Sequence, residues 1–391
     1  MALKGRKTNK NVPIMSHEFV IQNHADIVSC VAMVFVIGLM VQATAPISYM
    51  FIAMQHNVNQ SEASNQIDPY VKYTYGSKDI CAVFFYLLLC IVTHAIVQEY
   101  VLDKIIKKLH LSKVKNNKFN ESGQLLAFYL FSIIWGGDII FWENFIFNIS
   151  SLWEGYPHTD MSSMLKFYFI IQMAYWLHTY TELYFQKVKK EDMFPKIQQA
   201  TIMFMYILAA YIFNFSRVGI LLLVLHYLSE AMYHILQLLE FFDKEENNNK
   251  VMQTVGSLAS NIVFVTSRFG SIILAVLTFW FGLSQQSAHQ GIDLQTFNFN
   301  SPGFRLLALF SVCSLQAYLM FDFITNQIKQ FREIQPYYSG GGSSTKKVVN
   351  KKQLLKKQKD NVKRIHDEDN ELTEVDQNTK KTQRNIKMKL K

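Results

Sequence analysis

The sequence Val83-Phe-Phe-Tyr-Leu-Leu-Leu-Cys-Ile-Val-Thr-His-Ala95 contains no acidic or basic side chain other than one histidine, and no proline or glycine. It lies within a longer apolar run, residues 80–101. A helix that crosses the hydrocarbon core of a bilayer needs about 20 predominantly apolar residues, because its backbone polar groups must be paired inside the helix. The run is long enough and predicts a transmembrane helix.

Seven further apolar runs lie along the chain. They comprise residues 27–54, 124–147, 164–184, 200–215, 217–239, 255–283 and 303–328. Half of the 391 residues are hydrophobic and 18% are charged, which argues against a set of soluble domains. The sequence therefore predicts an all-α, polytopic membrane protein with about eight transmembrane helices.

Basic residues are concentrated in the C-terminal part of the chain. Residues 339–391 contain 15 Lys and Arg and 7 Asp and Glu, within a whole-chain net charge of +9. The segment opens with Ser-Gly-Gly-Gly-Ser-Ser and contains no aromatic residue, so we predict a disordered basic tail over residues 331–391. Such a tail is attracted to anionic lipid headgroups or to the RNA of a ribosome, or else is solvated and has no partner.

The short loops predict the orientation of the chain. With the N-terminal segment 1–26 in the cytosol, cytosolic loops carry 16 Lys and Arg without the tail, whereas the lumenal side carries Lys72, Lys78 and Arg217. Positive loops stay in the cytosol, so we predict that both termini are cytosolic. No cleavable signal peptide is predicted. Of four glycosylation sequons, Asn59 in the first lumenal loop is the best candidate.

Polar residues inside the predicted spans mark candidate functional positions, because they are costly in a membrane. The set predicted to line a cavity for a nascent chain or lipid is Asn214, Arg217, His226, Glu230, His234, His178 and Glu182. His178 and Glu182 are four residues apart and share a helix face, and His226, Glu230 and His234 repeat that spacing.

Three interpretations of the His226, Glu230 and His234 pattern remain open. The residues could be metal ligands, line a cavity, or form hydrogen bonds between helices. A complete metal site needs a further ligand that the sequence does not supply, so we predict no metal and no cofactor. The chain has no glycine-rich phosphate loop, no G-x-S-x-G motif and no suitably paired carboxylates, so we predict no catalytic residues.

Several motifs resemble one family of membrane proteins. They include His94-Ala-Ile-Val-Gln-Glu-Tyr-Val-Leu-Asp-Lys104 and Ala174-Tyr-Trp-Leu-His178, with further stretches at residues 16–30, 118–124, 182–187 and 189–192. From about residue 15 to about residue 335 the sequence resembles the translocating chain-associated membrane proteins (TRAM family), which belong to the TLC-domain group. The resemblance implies a six-helix TLC core over residues 117–330, preceded by two helices within residues 27–116.

The TLC-domain group also includes the ceramide synthases, whose motif this chain departs from. Alignment on Arg217-Val-Gly219 places His226 on the histidine of their Leu-His-Asp motif. Their adjacent histidine pair falls on Gln199-Ala200, and their two aspartates fall on Tyr227 and Glu230. Neither Gln nor Ala transfers a proton near neutral pH, so we predict a TLC fold without acyltransferase activity.

The resemblance implies a location in the endoplasmic reticulum membrane beside the Sec translocon. It implies a non-enzymatic role in the translocation and membrane insertion of nascent polypeptides with signal sequences or transmembrane segments. Membrane lipids, and the ribosome through the basic tail, are further expected partners, but no specific nucleic acid is. Two alternatives remain: a lipid-binding or membrane-thinning TLC scaffold, and a lipid-modifying TLC enzyme that uses His226 and Glu230.

Overall fold

The computed structural model describes residues 17–58, 71–186, 190–242, 250–286, 291–293 and 297–338. The α-helices are α1 His17–Gln22, α2 His24–Gly38, α3 Ala45–Ile52, α4 Asp79–Val97, α5 Asp103–Leu109, α6 Lys113–Trp142, α7 Ser163–Phe185, α8 Lys190–Ile212, α9 Ser216–Phe242, α10 Lys250–Ala275, α11 Leu283–Gln285 and α12 Pro302–Tyr338. The predicted all-α fold is confirmed. Asn59 and the tail beyond Tyr338 lie outside the described residues.

Short irregular elements connect these helices. The π-helical segment Gln98–Leu102 joins α4 to α5, and a second one, Val276–Gly282, joins α10 to α11. A 3-10 turn covers Ile149–Leu152. The strands are β1 Lys72–Tyr73, β2 Met161–Ser162, β3 Gly291–Asp293 and β4 Asn298–Asn300, paired antiparallel as β1 with β2 and β3 with β4.

Within the described residues, five helical stretches are long and apolar enough to cross a membrane, so the chain is a multi-pass membrane protein. They are Asp79–Leu109, Lys115–Trp142, Ser216–Phe242, Thr254–Gln285 and Pro302–Lys329. The predicted spans 164–184 and 200–215 also contain helices, α7 and α8, but neither is among the five stretches that meet the length and hydropathy of a span. Much of α7 is buried among its neighbours, and a helix shielded from lipid can carry more polar residues.

The first predicted span is a correction. Residues 27–54 do not form one helix: α2 ends at Gly38 and α3 begins at Ala45. Pro46 lies in the first turn of α3, where its missing N–H and fixed φ are tolerated, whereas it would break a continuous helix. The hydroxyl of Thr44 donates to the carbonyl of Gly38 at 2.8 Å and holds the break closed.

A hydrogen-bonded aromatic core joins α6, α7 and α9. The indole Nε1 of Trp176 donates to the hydroxyl of Tyr227 at 3.0 Å, and that hydroxyl donates to Oε1 of Gln172 at 2.8 Å. Gln172 Nε2 then donates to the hydroxyl of Ser132 at 2.9 Å. All four side chains are buried, so each polar group in this chain of bonds requires its partner.

A buried ion pair joins α4 to α7 at the ends where these helices begin. Lys166 Nζ lies 2.8 Å from Asp79 Oδ1, and it also donates to the carbonyls of Gln55 and Thr74, at 2.7 Å each. The second Asp79 oxygen accepts from the hydroxyl of Tyr211 at 2.8 Å. The pair therefore fixes the loop before α4 against the bundle.

Candidate functional site

A cavity of about 290 Å³ lies between α8, α9 and α12. Small residues leave this space open, including Ala209 and Ala210 on α8 and Ala308 on α12. At Gly219 on α9, an added Cβ would lie 2.8 Å from the Cβ of Ala210, so glycine permits the close approach of the two helices. The cavity thus lies between α8 and α12, and α9 forms its third wall.

The two ends of the cavity differ in chemistry. Aromatic residues surround one end, where α8 passes into α9; they are Phe213, Phe215, Phe279 and Phe304. The other end contains His226 of α9 and Gln316 of α12. Leu307 lines the cavity and is also 62% exposed, so the cavity reaches the outer surface of the bundle beside α12. The space is therefore an apolar cavity with a lateral opening and one polar end.

The guanidinium group of Arg268 organises the polar end. Its NH1 lies 3.0 Å from His226 Nδ1 and donates to Gln316 Oε1 at 3.2 Å. Its NH2 donates to the hydroxyl of Ser229 and lies 3.5 Å from Glu230 Oε1. The Arg268 side chain is completely buried, so these contacts replace its hydration.

The Arg268 contact also assigns the proton of His226. A guanidinium group only donates hydrogen bonds, so His226 Nδ1 must accept and the neutral ring carries its proton on Nε2. His226 Nε2 is buried and has no hydrogen-bond partner among the described residues. The polar end of the cavity is therefore bordered by a histidine whose second N–H has no partner among the described residues and no exposed surface.

The other predicted site residues lie in three different places. Asn214 donates to the carbonyl of Phe297 at 3.0 Å, and Arg217 donates to the carbonyl of Ser151 at 2.7 Å, so both connect to loops at the start of α9. His234 is buried with its ring 5.8 Å from the ring of Tyr129. Glu230 contacts Arg268, the residue that also contacts His226. His226 is the member of the predicted set that lines this cavity.

His178 and Glu182 of α7 form a separate cluster with His94 of α4. His94 Nδ1 lies 3.3 Å from His178 Nε2, and His94 Nε2 lies 3.2 Å from Glu182 Oε1. From the sequence, His94 belongs to a family motif without a site role, and Arg268 has no assigned role. Neither His94 nor Arg268 is close in sequence to its partners, so helical spacing gave no signal for them.

The positions of the ceramide synthase motif are used for packing in this structure. Tyr227, at an aspartate position of that motif, is fully buried and bonded to Trp176 and Gln172. Ala200, at a position of the histidine pair, is also fully buried. Neither Tyr227 nor Ala200 supplies the imidazole or carboxylate that a general base requires.

Comparisons with known proteins agree with this architecture. A sequence model of the TLC domain matches residues 118–325. The translocating chain-associated membrane protein 2 of Mus musculus and that of Homo sapiens are each 43% identical to this chain over 328 residues, which cover 84% of this chain and 86% of the relative. Ceramide Synthase FUM18 of Gibberella moniliformis is 24% identical over 211 residues, 53% of this chain and 47% of that protein. The domain match and the identity across most of the sequence show that this chain belongs to the translocating chain-associated membrane protein family, within the TLC-domain superfamily.

Proposed function

We propose that this protein is a non-enzymatic membrane protein of the endoplasmic reticulum that assists the membrane insertion of nascent chains beside the Sec translocon. The observation that carries the proposal is the apolar cavity between α8, α9 and α12, which opens beside α12 and is bordered by His226 at its polar end. The names of its relatives, translocating chain-associated membrane protein 2, support the same role.

The chemistry of the cavity suits a segment that is only weakly hydrophobic. Its apolar walls accept aliphatic side chains, while its polar end, at His226 and Gln316, suits a carbonyl or side-chain oxygen that has lost its water. An unpaired polar group in hydrocarbon costs several kcal/mol by transfer measurements, and a hydrogen bond from the protein would offset part of that cost. The cavity thus lowers the free energy of an intermediate between the translocon and the bilayer.

Partners follow from this role. The proposed clients are nascent polypeptides with signal sequences or transmembrane segments, and the proposed neighbours are the Sec translocon and membrane lipids. The basic tail is proposed to contact the ribosome. Residues 331–338 of the predicted tail are the end of α12, whereas Asn59 and the tail beyond Tyr338 lie outside the described residues. The glycosylation of Asn59 and the ribosome contact therefore rest on the sequence.

Reconstitution tests the proposed role directly. Proteoliposomes that contain the Sec translocon, with or without this protein, would receive nascent chains with a weak or a strong signal. We expect the protein to raise the translocation of weak signals several-fold and to leave strong signals unchanged, because strongly apolar segments enter lipid unaided. Equal yields with and without the protein for both signals would contradict the proposal.

The proposed orientation places both termini in the cytosol. Lys10, Lys113 and the tail would then be cytosolic, and Tyr70 would be lumenal. We expect protease added to sealed microsomes to remove the tail and spare the loop near Tyr70, since the positive loops stay in the cytosol. A protected tail together with cleavage near Tyr70 would show the inverted topology.

A lipid-modifying enzyme is the alternative that the distant relatives suggest, because two of them carry the names of a ceramide synthase and a sphingosine N-acyltransferase-like protein. We expect purified wild-type protein to form no ceramide from acyl-CoA and a sphingoid base, since Gln199 and Ala200 replace the histidine pair. Ceramide formation that requires His226 would establish the enzyme instead. Lipid binding without any crosslink to nascent chains would establish the second alternative, a scaffold.

A further inference from the structure

A compact cluster of metal-ligating side chains lies between α4 and α7, away from the cavity. One nitrogen or oxygen from each of His94, His178 and Glu182 falls within 4.8 Å of the others. His94 Nδ1 and His178 Nε2 are 3.3 Å apart. Two ligand atoms on a tetrahedral zinc ion, each about 2.0–2.1 Å from the metal, lie roughly 3.4 Å apart. The histidine pair already has this separation.

The hydrogen bonds around the cluster leave its ligand atoms free. His178 Nδ1 lies 2.6 Å from the carbonyl of Tyr175, to which it can only donate, so the neutral ring presents its Nε2 lone pair to His94. A backbone carbonyl on the distal nitrogen is the usual support of a metal-bound histidine. Glu182 Oε1 accepts from Gln186 Nε2 at 2.7 Å, whereas Glu182 Oε2 is buried and has no hydrogen-bond partner among the described residues.

Glu182 lies beside the other ring nitrogen of His94. Because a histidine gives one nitrogen to an ion, binding by all three residues requires a rotation of the His94 ring. His94 Nε2 is buried and lies 3.2 Å from Glu182 Oε1, within the distance of an ion pair. The metal-free alternative is a doubly protonated His94 that donates to both His178 and Glu182. That arrangement would leave Glu182 Oε2 buried without a partner, whereas a metal ion uses the carboxylate as a ligand.

The backbone at the end of α4, close to His94, departs from α-helical geometry. Four residues after His94 the α-helix gives way to the π-helical segment Gln98–Leu102. Gln124 Nε2 of α6 donates to the carbonyl of His94 at 3.0 Å and to Gln98 Oε1 at 3.3 Å. Single π-helical turns inside α-helices are frequent at functional sites, because they change the direction of a side chain.

We propose that His94, His178 and Glu182 bind one divalent transition-metal ion of the zinc class. Two imidazoles and one carboxylate are the ligand types that such an ion prefers, and solvent would complete its coordination. His94 precedes the TLC-domain match at residues 118–325, whereas His178 and Glu182 lie inside it. The ion would therefore join the helix before the TLC domain to the domain itself.

The test uses the full-length protein in detergent, purified through a tag without histidine and stripped of metal with a chelator. Titration with Co²⁺ should give the visible absorption of a four-coordinate site at one ion per chain, and Zn²⁺ should displace it. X-ray absorption of the zinc form should show only nitrogen and oxygen ligands, at about 2.0–2.1 Å. Zn²⁺ should also raise the thermal unfolding midpoint of the protein.

Variants assign the binding to this cluster. His178→Gln and Glu182→Gln should weaken Co²⁺ binding by more than the roughly 10–100-fold loss that follows removal of a supporting hydrogen bond. The matched control His158→Gln changes a buried histidine outside the cluster and should leave Co²⁺ binding unchanged. The proposal is overturned if the wild-type protein binds no stoichiometric Co²⁺ or Zn²⁺, or if His178→Gln retains full binding. If a variant fails to fold, the Co²⁺ absorption spectrum of the wild-type protein still shows whether the protein binds the ion.

Discussion

Replacing Asp79 with leucine will lower the free energy of unfolding by about 3–5 kcal/mol, the usual cost of removing one partner of a buried ion pair. The Lys166 side chain is completely buried and would keep its charge without the carboxylate 2.8 Å away. The hydroxyl of Tyr211 and the amide of Gly76 would lose their acceptor as well. Denaturant unfolding of the purified protein in detergent measures the change.

An exposed carboxylate provides the control for Asp79→Leu. Asp160 lies in the loop before α7, and Asp160→Leu should change the unfolding free energy by no more than about 0.5 kcal/mol. The double variant Asp79→Leu, Lys166→Met should recover part of the loss, because it removes the unpaired charge. If Asp79→Leu were no more destabilising than Asp160→Leu, the pair would not fix the loop to the bundle.

Filling the cavity will impair clients with weak signals and spare clients with strong signals. Ala308→Trp places a large side chain in the space between α8, α9 and α12. We expect about a tenfold loss of weak-signal insertion, because a hydrogen bond within the membrane is worth about 1–2 kcal/mol and about 1.4 kcal/mol corresponds to tenfold. Insertion yields in reconstituted proteoliposomes measure the effect.

The control for Ala308→Trp lies on the same helix. Phe310 is 71% exposed, and Phe310→Trp adds bulk on the outer surface of α12 without entering the cavity. It should leave insertion of both signal types unchanged. Equal losses for weak and strong signals in Ala308→Trp would indicate misfolding, and no loss for either would show that the cavity does not receive the client.

The structure changes the result that is expected when His226 and Glu230 are replaced together. From the sequence, replacing His226 and Glu230 together by leucine is expected to leave folding intact, because the residues read as one polar stripe on α9. Both side chains contact the fully buried guanidinium of Arg268. The double variant therefore removes two partners of a buried charge and should be destabilised, so only the triple variant with Arg268→Met separates binding from folding.

The sequence predicted the helices well because their signal is local. Apolar runs and positively charged loops reflect the free-energy cost of placing polar groups in lipid. That cost applies to each segment independently of the others. The break between α2 and α3 also had a local signal, since Pro46 stands in the middle of the predicted span. The length of the apolar run concealed it.

Contacts between distant segments could not be read from the sequence. Arg268 meets His226 of α9 and Gln316 of α12, 42 and 48 residues away, and His94 meets His178 at a separation of 84 residues. Helical spacing describes one helix at a time, so it grouped His226, Glu230 and His234 although His234 packs against Tyr129. Which helices lie side by side decides the chemistry of this site.

Photocrosslinking from inside the cavity tests the central claim most directly. A leucine-sized photoactivatable residue at Leu315, which lines the cavity, would be compared with the same residue at Phe310 on the outer surface of α12. Stalled nascent chains with a weak signal would be presented in microsomes. We predict crosslinks from position 315 to the apolar core of the signal and few from position 310. Crosslinks from position 315 only to lipid, or equal crosslinks from both positions, would contradict the account.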